Sequence, residues 1–226
     1  IFRPKMAKKK TKEKLIETAL NLIWKDSYGT VSVEDICKSA GVLKGSFYHY
    51  FPSKKDLADA ALIECRAHFR ELYNDIFSPL NPPLDRFMKM ADHKIEMQEQ
   101  MLKENGFVMG CPTGGFRQDL SAAEAPNINI QDIGRESLTY YKAALKDMKT
   151  EGQIDSDTDI DRRADEIYVF MMGTMATARM MNDLTFMRTG FKPALRRIIG
   201  VEKEWFDKIW LIGQITNSEF FLNFQV

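Results

Sequence analysis

Residues 33–51 constrain the fold more tightly than any other stretch of this chain, because two short apolar-faced segments meet there at Ala40-Gly41-Val42. Ser32 can cap the first segment, with Asp35 three residues further on. Val33, Ile36, Cys37 and Ala40 supply its apolar face. Gly41 interrupts that pattern after about two turns, a usual place for a tight connection between helices. A second short helix is expected from about Leu43 to Tyr50, and Pro52 ends it. Two short helices joined through a glycine turn have helix-turn-helix geometry. Phe47 and Phe51 lie four apart and can share one buried face. Lys44, Gly45, Ser46, Tyr48 and His49 then point elsewhere. An ammonium, a hydroxyl, a phenol and an imidazole are donors that phosphates and base edges accept. Gly45 has no side chain to hold the backbone away from DNA.

The rest of the chain is helical by period. Leu15, Ala19, Leu22 and Ile23 recur at helical spacing, and Gly29 stops that first helix. Ser53 and Asp56 open a long fourth helix, expected over 54–77. Pro79, Pro82 and Pro83 then break the chain. Further helices are expected over 84–103, 128–149, 162–187 and from Pro193 to about Trp210. Residues 106–127 hold Gly106, Gly110, Gly114, Gly115, Pro112 and Pro126 and read as a loop with one short helix. Asp155 to Asp161 is an acidic linker. No segment sustains the two-residue alternation of a strand. The expected class is all-α. A three-helix helix-turn-helix DNA-binding domain with its amino-terminal arm, 1–53, is joined by a long helix to a larger helical ligand-binding and dimerisation domain, 54–226.

Charge agrees with that division. The formal net charge is zero, but it is unevenly placed. Residues 1–55 carry 12 Lys+Arg against 5 Asp+Glu, and the remainder carries the opposite excess. A basic end on an acidic body points to nucleic acid at that end, although six lysines between Lys5 and Lys14 also suit a solvated tail. Cys37, Cys65 and Cys111 are far apart and odd in number, which suits a reducing cytoplasm rather than a disulfide framework. They lack zinc-site spacing, and neither metal nor cofactor is expected. The uncharged run from Ile167 to Ala178 is shorter than the roughly 20 residues that a bilayer requires, so no membrane partner is expected. Lysines rather than a long apolar run follow the opening residues, so no secretory signal is expected, and Met6 reads as the natural start.

Residues 11–57 resemble the amino-terminal domain of the TetR family of transcriptional regulators. The resemblance rests on Lys14 to Ala19, Gly29 to Val33, and above all Gly41 through Leu57. That last run sets a glycine, a small hydroxyl and an aromatic series before Ser53-Lys54-Lys55-Asp56-Leu57. Leu43 departs from the pattern, where the family usually has a small or polar residue. The resemblance implies phosphate contacts from Thr30, Ser32, Tyr48, His49, Tyr50 and Lys54. It places Lys44, Gly45 and Ser46 nearest the base edges. It further implies a homodimer on a palindromic, double-stranded operator, a repressor released by a small-molecule inducer.

In the body, Gly110-Cys111-Pro112-Thr113-Gly114 resembles a Gly-Cys-x-x-Gly segment of one TetR subgroup. An inducer is expected near Met101, Phe107, Cys111, Tyr140 and Met171, where methionines are dense and tyrosines offer a ring with a polar tip. The same residues could instead fill an ordinary core. Ile167, Phe170, Met171, Thr174 and Ala178 form a stripe expected at the dimer interface. Two other readings give Cys111 a different part: redox sensing by a DNA-binding protein, or a cysteine enzyme with His93 as its base. The second leaves residues 33–57 unexplained.

Overall fold

Two hydrophobic cores organise the molecule, and one long helix belongs to both. The computed structural model describes residues 10–113, Phe116 and 130–201, and all its regular elements are helices. The first core is built by α1 (Thr11–Asp26), α2 (Val33–Ala40), α3 (Lys44–Tyr50) and the first half of α4 (Lys54–Ile76). Ser32 caps α2 by accepting from the Asp35 amide, and the Asp35 carboxylate reaches back to the Ser32 amide at 2.9 Å. Gly41 closes α2 with φ at 65°, a left-handed turn that a side chain would strain. Phe47 and Phe51 are buried beneath α3, as their spacing requires, with ring centroids 6.1 Å apart. Ser53 caps α4 by accepting from the Asp56 amide.

The second core is built by the rest of α4 with α5 (Pro83–Asn105), α6 (Ile130–Thr150), α7 (Ile160–Met181), α8 (Thr185–Thr189) and α9 (Phe191–Ile199). Leu57, Ala61, Leu62 and Cys65 of α4 lie in the first core, whereas Tyr73, Ile76 and Phe77 lie in the second. The two hydrophobic clusters divide inside α4, between Phe69 and Leu72. Three of the described residues cross over, among them Ile133 of α6, which packs against the amino-terminal core. Trp24 of α1 packs into the body core, and Phe116 packs into the amino-terminal core.

Helix limits differ from the periodic reading where a cap decides them. The expected 162–187 helix ends at Met181, because Asn182 turns left-handed at φ 49°. A short α8 follows. The last described helix stops at Gly200, which is also left-handed. The tail beyond Val201, including the rest of the helix expected to reach about Trp210, lies outside the described residues.

Candidate functional site

The candidate nucleic-acid face is the outer side of α3 with the turns beside it. Burial of Phe47 on the inner side leaves Lys44, Gly45, Tyr48, His49 and Tyr50 exposed and Ser46 half-buried. Leu43 precedes α3 and is 80% exposed, an apolar side chain presented among donors. His49 and Tyr50 stack edge-on at 4.8 Å between centroids. Tyr50 is therefore a surface residue rather than core.

Three of the expected phosphate contacts have their polar atoms engaged within the chain. The Thr30 hydroxyl donates to the Asp26 carbonyl. The Ser32 hydroxyl is held by Asp35 at 2.6 Å, and that hydrogen bond is the main reason the Asp35 carboxyl sits below its ordinary range. The Lys54 ammonium points inward. It donates to the carbonyls of Tyr28 at 2.8 Å and Val31 at 3.0 Å and lies 4.2 Å from the Tyr28 ring centroid. The Lys54 ammonium thus secures the α1–α2 connection to α4.

The body contains a cavity of about 60 Å³ between α4, α5, α6, α7 and the segment after α5. Tyr140, Cys111 and Met171, three of the five residues expected there, line it. The other two do not. Met101 is buried in the core, and Phe107 lies under the Lys25 ammonium, 5.9 Å from its ring centroid. Periodicity could not separate these, because loop geometry decides which side chain faces the cavity. Tyr141, whose ring and polar tip suit the same role as Tyr140, also lines it, and further lining residues that sequence reasoning missed are Tyr73, Tyr168 and the charged set Arg66, Arg70, Lys94 and Glu136. Glu136 binds both arginines, and the Arg70 hydrogen bond leads in holding its carboxyl below the ordinary range. Burial raises the phenols of Tyr141 and Tyr168, so both remain neutral donors near pH 7. Cys111 is half-buried, with its Sγ 3.0 Å from the Thr113 hydroxyl.

The segment from Val108 to Thr113 links this cavity to the first core. Gln98 of α5 holds Gly110 by both backbone groups, at 2.8 and 2.9 Å. Gly110 has φ 68°, and a Cβ there would meet Arg179 and the Met175 carbonyl at 3.3 Å. The Arg179 guanidinium donates to the carbonyls of Met109, Trp24 and Lys25 at 2.7, 2.9 and 3.1 Å. The Trp24 indole donates to the same Met109 carbonyl at 3.0 Å. Arg179 thereby joins the end of α7 to the end of α1, a joint that residue spacing does not signal.

The expected dimer stripe is mostly internal. Ile167 is 0% and Ala178 5% exposed within the single chain, Thr174 and Met171 are also buried, and only Phe170 is half-exposed. Ile167 and Met171 pack against the subunit's own helices, whereas Phe170, Thr174 and Ala178 line an open groove beside α7. The outward face of α7 carries Val169, Gly173, Ala176, Thr177 and Met180 instead.

Comparison with known proteins follows the same division. Residues 15–61 match the family model for bacterial regulatory proteins of the tetR family. The transcriptional regulator AcuR of Cereibacter sphaeroides is 26% identical over 173 residues, 74% of this chain and 76% of that protein. The regulatory protein TetR from Rhodobacter sphaeroides has a crystal structure that superposes with a TM-score of 0.70 at 24% identity, over 82% of this chain and 97% of that one. FadR of Bacillus subtilis, solved in complex with stearoyl-CoA, shares the fold at a TM-score of 0.62 and 18% identity, over 83% of this chain and 96% of that one. The relatives are transcriptional regulators rather than enzymes, which removes the reading of Cys111 as a nucleophile with His93 as base. Residues 15–61 are thus a TetR-family DNA-binding domain, in a chain whose relatives and fold are those of TetR-family transcriptional regulators.

Proposed function

We propose that this chain is a cytoplasmic, ligand-responsive repressor that binds a palindromic operator as a homodimer and leaves it when a small molecule fills the α4–α7 cavity. The segment after α5 carries the reading. Cys111 and Thr113 line the cavity, Met109 meets Trp24 and Arg179, and Phe116 sits in the amino-terminal core. A ligand that moves this segment must disturb the seat of the helix-turn-helix unit. Ligand and operator then oppose one another through linkage, each favouring a different arrangement of the same joint. FadR, which shares the fold, was solved with stearoyl-CoA, which supports a small-molecule role for the body.

On the DNA side, Lys44, Gly45 and Ser46 are assigned to base edges, and Tyr48, His49 and Tyr50 to phosphates, since these residues occupy the exposed side of α3. Thr30 can still offer its backbone amide at its turn, whereas the hydroxyl and the amide of Ser32 are both held by Asp35. One recognition helix per chain requires two chains to read successive major grooves, about 34–36 Å apart. The test is selection of duplexes from a random pool by the immobilised full chain. Enrichment of an inverted repeat with half-sites one helical turn apart, or a multiple of it, is expected. Recovery of unrelated sequences, or of single half-sites bound by one chain, overturns the reading.

A further inference from the structure

We propose that the α4–α7 cavity takes a small carboxylic acid in its ionised form, with Lys94 as the counter-ion and the Tyr168 hydroxyl as a second donor. The inference rests on the reading of that cavity as the effector site and names the class of effector. Lys94 lies on α5, lines the cavity and is only 8% exposed. Its ammonium has no hydrogen-bond or ion-pair partner among the described residues. Its Nζ opens on the cavity, where an arriving anion can pair with it. The described lining does not supply that anion. Its one described carboxylate, Glu136, is held by Arg66 and Arg70, with the shorter ion pair measured at 2.5 Å and the other at 2.7 Å.

The lining also sets the charge and size of the guest. Three cations face one carboxylate, so an anion is favoured over a neutral or cationic guest. Arg66 and Arg70 are both committed to Glu136, so among the described lining residues Lys94 is the cation left to pair with a guest. Tyr168 makes no hydrogen bond with a described residue, and its burial-raised phenol is a neutral donor that a carboxylate can accept from. The rest of the described wall combines Phe69, Tyr73, Met171 and Met172 with the hydroxyl residues Thr113 and Ser137. A cavity of about 60 Å³ has room for about four to six water-sized atoms, which limits the guest to a short chain unless the walls yield. Methionine walls are the kind that yield.

The experiment is calorimetric titration of the full chain with straight-chain carboxylates of three to eight carbons and with their neutral amides, which match them in shape. Wild type, Lys94→Met and Met171→Trp are compared, and thermal melts establish that each variant folds. Lys94→Gln replaces Lys94→Met if the latter does not. At least one acid should bind at least tenfold more tightly than its amide, and Lys94→Met should abolish that preference. Met171→Trp should block binding of both. Equal affinity for acid and amide, or a preference that survives Lys94→Met, overturns the carboxylate assignment and leaves the effector cavity standing. Binding that persists in Met171→Trp places the site elsewhere and overturns the cavity reading as well. Absence of binding by every acid overturns the carboxylate assignment.

Discussion

The Lys54 ammonium closes the turn between α1 and α2 by donating to two backbone carbonyls, and the Tyr28 ring covers it. Buried carbonyls need donors, and a charged donor serves them well. Replacing Lys54 by Ala should therefore lower stability by about 1–3 kcal/mol through loss of charge-assisted hydrogen bonds. It should leave the slope of log affinity against log salt unchanged, because no phosphate contact is lost. A thermal melt and a salt series on the selected operator check both expectations; an intact melting temperature with a slope reduced by roughly one charge would restore Lys54 to the phosphates. At this scale the sequence was legible where local rules act alone. The caps at Ser32 and Ser53, the left-handed Gly41 and the Phe47–Phe51 pair follow from neighbours within four residues. Lys54 was not legible, because its partners lie 23 and 26 residues away.

Helix α7 shows the same limit at the scale of an element. Its apolar residues run on two sides, and periodicity does not say which side meets the subunit's own core. The structure buries Ile167, Met171, Thr174 and Ala178 and leaves Val169 at 68% and Met180 at 77% exposure. Beside them lies a groove lined by Phe170, Gly173, Thr177, Met181 and Phe186, with the small residues Thr174 and Ala178 on its floor. An exposed apolar face of this kind, rimmed by polar residues, suits a two-fold contact in which each residue acts twice. Under the proposed homodimer, Val169→Asp should yield a monomer with unchanged helical circular dichroism and weakened operator affinity. Sedimentation that finds an intact dimer would place the interface on another surface. A charge at Ala178 would not test the point, since at 5% exposure it would unsettle the core first.

At the scale of the whole molecule, the two cores are tied by exchange. Trp24 enters the body, Phe116 enters the amino-terminal unit, α4 runs through both, and Arg179 binds the carbonyls where they meet. The all-α class and the helix-turn-helix unit were readable from spacing and caps. The charged cavity lining was not, because Arg66, Lys94, Glu136 and Tyr168 come from four different helices. Nor was the Arg179 joint, which spans 155 residues of sequence. The joint predicts how the two proposed sites communicate. Arg179→Met should still fold and bind both partners, but effector binding should alter operator affinity less than in wild type. The decisive measurement is fluorescence anisotropy of the labelled, selected operator at fixed salt, with and without a saturating cavity ligand, alongside titration of that ligand into free and operator-bound protein. Operator Kd should rise by about 5–150-fold when the cavity is filled, and ligand affinity should fall by the same factor on DNA. An operator affinity unmoved by saturating ligand would contradict the ligand-responsive mechanism.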